Sequence, residues 1–156
     1  VIQPKNIGKE KALQKIRQYC AYQERNHREV KEKLYSFGLY KEEVETLVSQ
    51  MIEENYLNEE RYAVIFAGGK FRMKGWGKAK IKYALKQDGV SEFCIKKALS
   101  SIAEEAYQEK LLEIFEKKIQ VLKTEKNLFT KKKKLQSYLL QKGYEGERVG
   151  KLLAKL

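Results

Sequence analysis

Proline occurs once in the 156 residues, at Pro4, so every later position is free of the residue that removes a backbone donor and breaks helix interiors. Cysteine occurs only twice, at Cys20 and Cys94, far apart and without metal-ligand spacing, and histidine once, at His27. A zinc site therefore lacks its ligands. No apolar run approaches the roughly 18 residues of a membrane span, and the opening VIQPKNIGKEKAL has no apolar core of a secretory signal. These shortages lead us to expect a reduced, cytoplasmic protein with no membrane partner and no cofactor. Catalytic groupings are equally scarce. Glu53 and Glu54 fall at a helix end, and Glu59 and Glu60 in a first turn, where the helix macrodipole favours acids. His27 reads as an exposed turn residue, and Cys20 reads as a small core residue because Phe71 stands at its equivalent position. Nothing here resembles an enzyme.

What the chain has is helix formers: Leu, Lys, Glu, Ala and Gln dominate. Val30 and Leu34, then Val44, Leu47, Val48 and Met51, follow three-and-four spacing around Gly38, the pattern of two amphipathic helices joined through a left-handed glycine. The same seven positions recur 51 residues later at Ile81, Leu85, Gly89, Ile95, Ala98, Leu99 and Ile102. They recur after a further 54 at Leu135, Leu139, Gly143, Val149, Leu152, Leu153 and Leu156. Another amphipathic stretch precedes each pair, as in Ala12, Leu13, Ile16 and Cys20 against Ala63, Val64, Ala67 and Phe71.

The spacing predicts an all-α chain of three tandem three-helix repeats, helix-turn-helix-like, stacked into an elongated, curved array. We place an N-terminal segment at 1–8 and the repeats at 9–55, 56–104 and 105–156. Helices are expected near 9–23, 28–37 and 41–54; 58–73, 78–87 and 91–104; and 105–125, 131–141 and 145–155. Asn58, Ser91 and Thr130 read as N-caps, and Tyr56, Tyr62 and Phe66 as packing between units. Gly68 and Gly69 conflict with the helix around them, at roughly 1–2 kcal/mol relative to alanines. Either the helix breaks there or another backbone comes close.

Charge is distributed unevenly. Lys and Arg number 33 against 21 Asp and Glu, for a formal net charge of +12, which favours polyanionic partners such as nucleic acid. The excess is +1 over residues 1–57, +4 over 58–105 and +7 over 106–156. From Arg61 to Gln87 there are eight basic residues and no acid, and from Lys126 to Tyr144 six and none. The segment RMKGWGKAKIKYAL, residues 72–85, lacks the spacing of a Walker loop or of a dinucleotide turn, so Gly75, Trp76 and Gly77 read first as a connecting turn. Lysines at helix starts are locally unfavourable, and an anion held by free backbone N–H groups would relieve them. Trp76 could stack on a base. The candidate contacts are Lys70, Arg72, Lys74, Trp76, Lys78, Lys80, Lys82, Lys86, Lys131, Lys132, Lys133 and Lys134, with a solvated charged face as the alternative.

Two stretches, EVKEKLYSFGLYKEEVETLVSQMIEENYLNEERYA (29–63) and FRMKGWGKAKIKYALKQDGVSEFCIKKAL (71–99), resemble the RecX family of bacterial regulatory proteins. The features carrying the resemblance are Tyr56 and Leu57, Asn58 to Ala63, the Gly75 to Gly77 turn, Ile81 with Leu85, and Asp88 to Val90. The resemblance covers about residues 10–156. Lys78 stands where such proteins often have proline, and Gly68 with Gly69 replaces helix formers. The resemblance implies a modulator that binds the RecA recombinase filament on single-stranded DNA and inhibits ATP hydrolysis, filament extension and strand exchange. Duplex DNA remains an open partner, and with no dimerisation segment a monomer is expected. The alternative is a general DNA-binding protein or helix-turn-helix transcription regulator.

Overall fold

The computed structural model describes residues 3–156. These form nine α-helices and no strand: α1 (Lys9–Tyr22), α2 (His27–Ser36), α3 (Lys41–Glu53), α4 (Glu59–Gly69), α5 (Lys78–Gln87), α6 (Glu92–Ser100), α7 (Glu104–Val121), α8 (Leu128–Lys142) and α9 (Gly146–Leu153). A five-residue π-helical turn, Lys70–Lys74, continues α4. The helices fall into three successive triplets.

Local chemistry sets most of the boundaries. Asn26 caps α2 in a reciprocal capping box, its side chain accepting from the Glu29 N–H while the Glu29 carboxylate accepts from the Asn26 N–H. Asn58 and Ser91 cap α4 and α6, as their sequence predicts. The expected cap at Thr130 is corrected: Asn127 caps α8 by accepting from the Thr130 N–H, so the helix begins at Leu128. Asparagine is the stronger N-cap, and it moves the lysine run from the first turn into the second. The α2–α3, α5–α6 and α8–α9 turns pass through Gly38, Gly89 and Gly143 at φ 81°, 78° and 103°, the left-handed region that favours glycine.

At Gly68 and Gly69 the helix neither breaks nor meets another backbone. It widens into the π turn, and a Cβ on Gly68 would lie 2.7 Å from the Arg72 guanidinium, which folds back over it. α7 ends at Val121, earlier than expected, and His27 is half-buried as the first residue of α2, where an exposed turn residue was expected. Both cysteines are buried. Burial pushes the Cys20 thiol up to about 11, which keeps it protonated and unreactive at neutral pH.

Two apolar cores form, one confined to the first triplet and one shared by the second and third. The first lies within α1–α3 and includes Ile16, Val30, Leu34, Leu47, Met51 and Leu57, with Tyr56 packed against it. The second runs continuously through α4–α9 and includes Phe71, Ile81, Leu85, Tyr107, Leu111, Leu135, Leu139 and Tyr144, with Tyr62 among its buried residues and Phe66 packed on its edge. The first triplet meets the second through polar groups. Arg28 donates to the Gln87 carbonyl at 2.7 Å and to Asp88 at 2.8 Å, and Arg61 pairs with Glu24 at 2.8 Å. The accessible surface is 10184 Å² at 18.3 kDa. A compact monomer of that mass exposes about 8,100 Å² by surface–mass scaling, so the array is extended.

The second and third triplets are welded where two glycines touch. The Gly77 N–H donates to the Lys142 carbonyl at 2.7 Å and the Ala79 N–H to the Gly143 carbonyl at 2.9 Å. A Cβ on Gly77 would lie 2.5 Å from the Tyr144 nitrogen, and one on Gly143 would lie 2.6 Å from the Lys80 nitrogen. The N-terminal segment repeats this contact on the first triplet. There the Ile7 N–H donates to the Phe37 carbonyl at 3.1 Å, and a Cβ on Gly38 would lie 2.6 Å from the Asn6 nitrogen. Gly89, the third equivalent, has no neighbour within 4 Å. Gly89→Ala should therefore cost only its left-handed backbone, about 1–2 kcal/mol. Gly143→Ala adds a collision with the backbone of α5, a further 1–3 kcal/mol or so. Urea unfolding of the two variants measures the difference, and equal losses would place the weld elsewhere.

Candidate nucleic-acid interface

The first turn of α5 shows how this chain tolerates lysines beside a helix N-terminus. Besides the bonds from Gly77 and Ala79, the Lys78 N–H donates to the Tyr107 hydroxyl at 2.9 Å. Three donors that an anion would need are thus occupied, two of them by carbonyls at the end of α8. The negative end of the α8 dipole faces the positive end of α5. The open phosphate site suggested by the sequence is absent from this turn. The Lys142 ammonium donates to the Lys74 carbonyl at 3.0 Å and the Tyr144 hydroxyl to the Gly75 carbonyl at 3.0 Å, which closes the join from the other side.

The twelve candidate residues do not converge on one point. Trp76 is half-buried, edge-on to Phe66 with centroids 6.4 Å apart, and the ammonium groups of Lys70 and Lys80 lie 5.1 and 4.7 Å from its ring centroid. The indole therefore gathers two cations at the surface. Lys82 and Lys86 project from α5 into a cleft of about 240 Å³ against α6, facing Lys96 and Glu92 over Ile95 and Leu99. Arg72 lines a different cleft with Ile102 and Ala103, Lys74 is exposed, and the Lys78 ammonium lies 4.8 Å from the Tyr107 ring centroid. On α8, Lys131 and Lys132 are half-buried, Lys133 lies 5.4 Å from the Phe129 ring centroid, and Lys134 pairs with Glu125 at 3.2 Å. Among the described residues only Lys86, at 3.8 Å from Glu92, and Lys134 have carboxylate partners within this set.

Lys96 was not among the residues read from sequence. It sits on the following helix, and a single sequence carries no sign of which faces meet. Tyr107 was equally missed, although a signal existed: it stands four residues after its helix cap Ala103, as Tyr62 does after Asn58.

These two tyrosines perform matching tasks at the two joins. The Tyr62 hydroxyl accepts from the Asn26 side-chain amide at 3.3 Å and donates to Asp88 at 3.0 Å. The Tyr107 hydroxyl accepts from the Lys78 N–H and donates to Glu145. Each therefore ties the start of one triplet's middle helix to an acid in the next triplet. Burial pushes the Tyr62 hydroxyl up to about 12, and pushes those of Tyr107 and Tyr144 higher still. Arg148 braces the outer end of this region, bound to Glu104, to Glu145 at 3.0 Å and to Gln108 at 2.8 Å. No group of His, Cys, Asp and Glu among the described residues could hold a metal ion, and no helix is long and apolar enough to cross a membrane.

Residues 58–99 match the family model for the second three-helix domain of RecX, and residues 104–153 match that for the third, together more than half of the chain. The chain belongs to the RecX family. A relative from Clostridium perfringens named regulatory protein RecX is 32% identical over 133 residues, which are 85% of this chain and 62% of the relative. One of the same name from Clostridium botulinum is 36% identical over 77% of this chain and 56% of its own length. The chain thus spans less than two thirds of the length of these relatives. The crystal structure of RecX from Lactobacillus salivarius superposes with a TM-score of 0.84 at 22% identity, covering 95% of this chain and 96% of that one, and so supports the fold.

The tyrosine hydroxyls set a pH limit on the RecX array. An unfolded tyrosine ionises near pH 10, whereas the folded Tyr62 holds its proton to about pH 12. The stabilisation is complete below the unfolded value and is lost as pH rises through the folded one. Thermal melts between pH 9 and about 12 should show falling stability, with a shallower fall in Tyr62→Phe. At neutral pH that variant should lose about 1–3 kcal/mol, since it leaves the buried Asn26 amide without an acceptor.

Proposed function

We propose that this protein modulates a recombinase filament: it binds RecA assembled on single-stranded DNA and slows ATP hydrolysis, filament extension and strand exchange, without catalysis of its own. The observation that carries this reading is that the excess positive charge falls on the two triplets matched by the RecX domain models, +4 over residues 58–105 and +7 over 106–156 against +1 over 1–57. In the first triplet basic and acidic residues nearly balance, and Arg17, Arg25 and Arg28 are paired with Glu54, Glu29 and Asp88.

An extended array with its excess of lysines along two of its three units suits a long anionic ligand better than a small one. Contacts spread over several phosphates release counterions in proportion to their number. The cation clusters are separate along the chain, which favours a ligand that runs past them over one that enters a pocket. A general DNA-binding or transcription-regulating role is the second reading. It predicts protected half-sites about one helical turn apart on a duplex.

Titrating the protein into a RecA ATPase assay on single-stranded DNA should slow hydrolysis, and unchanged rates at several-fold excess over RecA would sink the proposal. Replacing Lys82, Lys86 and Lys96 together by alanine should weaken binding and lower the slope of log affinity against log salt by about 2, for three single-strand phosphate contacts. These side chains are exposed and outside the core, so the fold should survive. An unchanged slope would make them a solvated surface only.

A further inference from the structure

The far end of the third triplet carries an apolar tip that nothing in the fold covers. α7 and α8, the two longest helices, are joined by a turn between Leu122 and Asn127 that leaves Val121, Leu128 and Phe129 exposed at 69%, 51% and 71%. Exposure of three large apolar side chains at one turn is unfavourable in water. The charge around them is one-sided: residues 117–134 contain eight lysines and a single acid, Glu125, whose carboxylate is already bound by Lys134 and the Asn127 N–H. Asn127 caps α8, so Leu128 and Phe129 are presented on a fixed first turn and not on a loose loop. Lys133 reaches over the Phe129 ring at 5.4 Å.

We infer that this tip is a base-stacking wedge for single-stranded nucleic acid, in which Phe129, backed by Leu128 and Val121, stacks on an unpaired base while lysines on α8 hold the flanking phosphates. This deepens the proposed function and rests on its nucleic-acid side, though not on the recombinase. The chemistry favours a strand over other occupants. Three side chains are too little apolar area for the core of a stable protein interface, which takes about 800 Å² from each partner. An exposed aromatic ring with Lys133 over it and further lysines along the same helix matches the alternation of base and phosphate along a strand, where the ring supplies a stacking surface and the ammonium groups the charge.

The test compares the full chain with Phe129→Ala and Phe129→Trp on two fluorescent probes of equal length, oligo(dT) and an abasic phosphodiester strand. The parent should bind oligo(dT) more tightly than the abasic strand. Phe129→Ala should lose roughly 5- to 150-fold on oligo(dT), the range for one stacked base, while its binding to the abasic strand stays unchanged. Phe129→Trp should retain the preference. Because the ring is exposed, circular dichroism and melting of the variants should match the parent. Equal affinity of the parent for both probes, or unchanged oligo(dT) binding by Phe129→Ala, overturns the wedge. So does loss of binding to anionic phospholipid vesicles with no change on oligo(dT), which would assign the tip to a membrane surface. The ATPase titration is read separately, so a base preference without filament inhibition would keep the wedge and discard the recombinase, and the reverse result would do the opposite.

Discussion

The end of α8 set against the start of α5 is the contact on which the rest of the array depends. A helix start carries about half a positive charge and unpaired donors, and α5 adds Lys78, Lys80 and Lys82 to that start. Left in water, this would be a poor place to begin a helix. Here the carbonyls of Lys142 and Gly143 and the Tyr107 hydroxyl take the donors. The approach is possible only because neither Gly77 nor Gly143 carries a Cβ. One backbone contact therefore fixes the register of the second and third triplets and leaves the lysine side chains free of any structural duty as counter-charges. The aromatic group of Phe71, Tyr107 and Tyr144, with centroids 5.9 and 5.2 Å apart, fills the space behind it.

The two joins share a plan and differ in material. Both place a tyrosine hydroxyl between the start of one middle helix and an acid of the following triplet. Between the second and third triplets that clasp is backed by a continuous apolar core. Between the first and second, side-chain ion pairs and the buried Asn26 replace it. The distribution of charge follows the same division. Arginines that hold the first join are neutralised by their partners, whereas the lysines on α5 and α8 mostly are not.

The triplet architecture was legible in the sequence because its signals are local. Gly38, Gly89 and Gly143 mark turns that require a left-handed residue, and the apolar spacing around them fixes which faces are buried. The caps at Asn58 and Ser91 were legible for the same reason. Thr130 misled because the stronger cap, Asn127, lies three residues upstream, before an exposed Leu-Phe pair that does not look like the start of a buried stripe. The Gly77–Gly143 contact joins residues 66 positions apart, and no pattern within either turn announces its mate. The same limit applies to the candidate site. Positive charge could be read along the chain, but not that Trp76 gathers Lys70 and Lys80, nor that Lys96 faces Lys82 across a cleft. The occupied N–H groups of α5 were hidden too, since their acceptors belong to the next triplet.

The hydrophilic seam beneath the first triplet has a mechanical consequence. Parting a surface held by ion pairs exposes little oil-like area, so lifting the leading three helices off the bar made of the other six sacrifices less hydrophobic burial than splitting that bar would. Dissolved salt weakens the attraction across that seam while barely touching the bar.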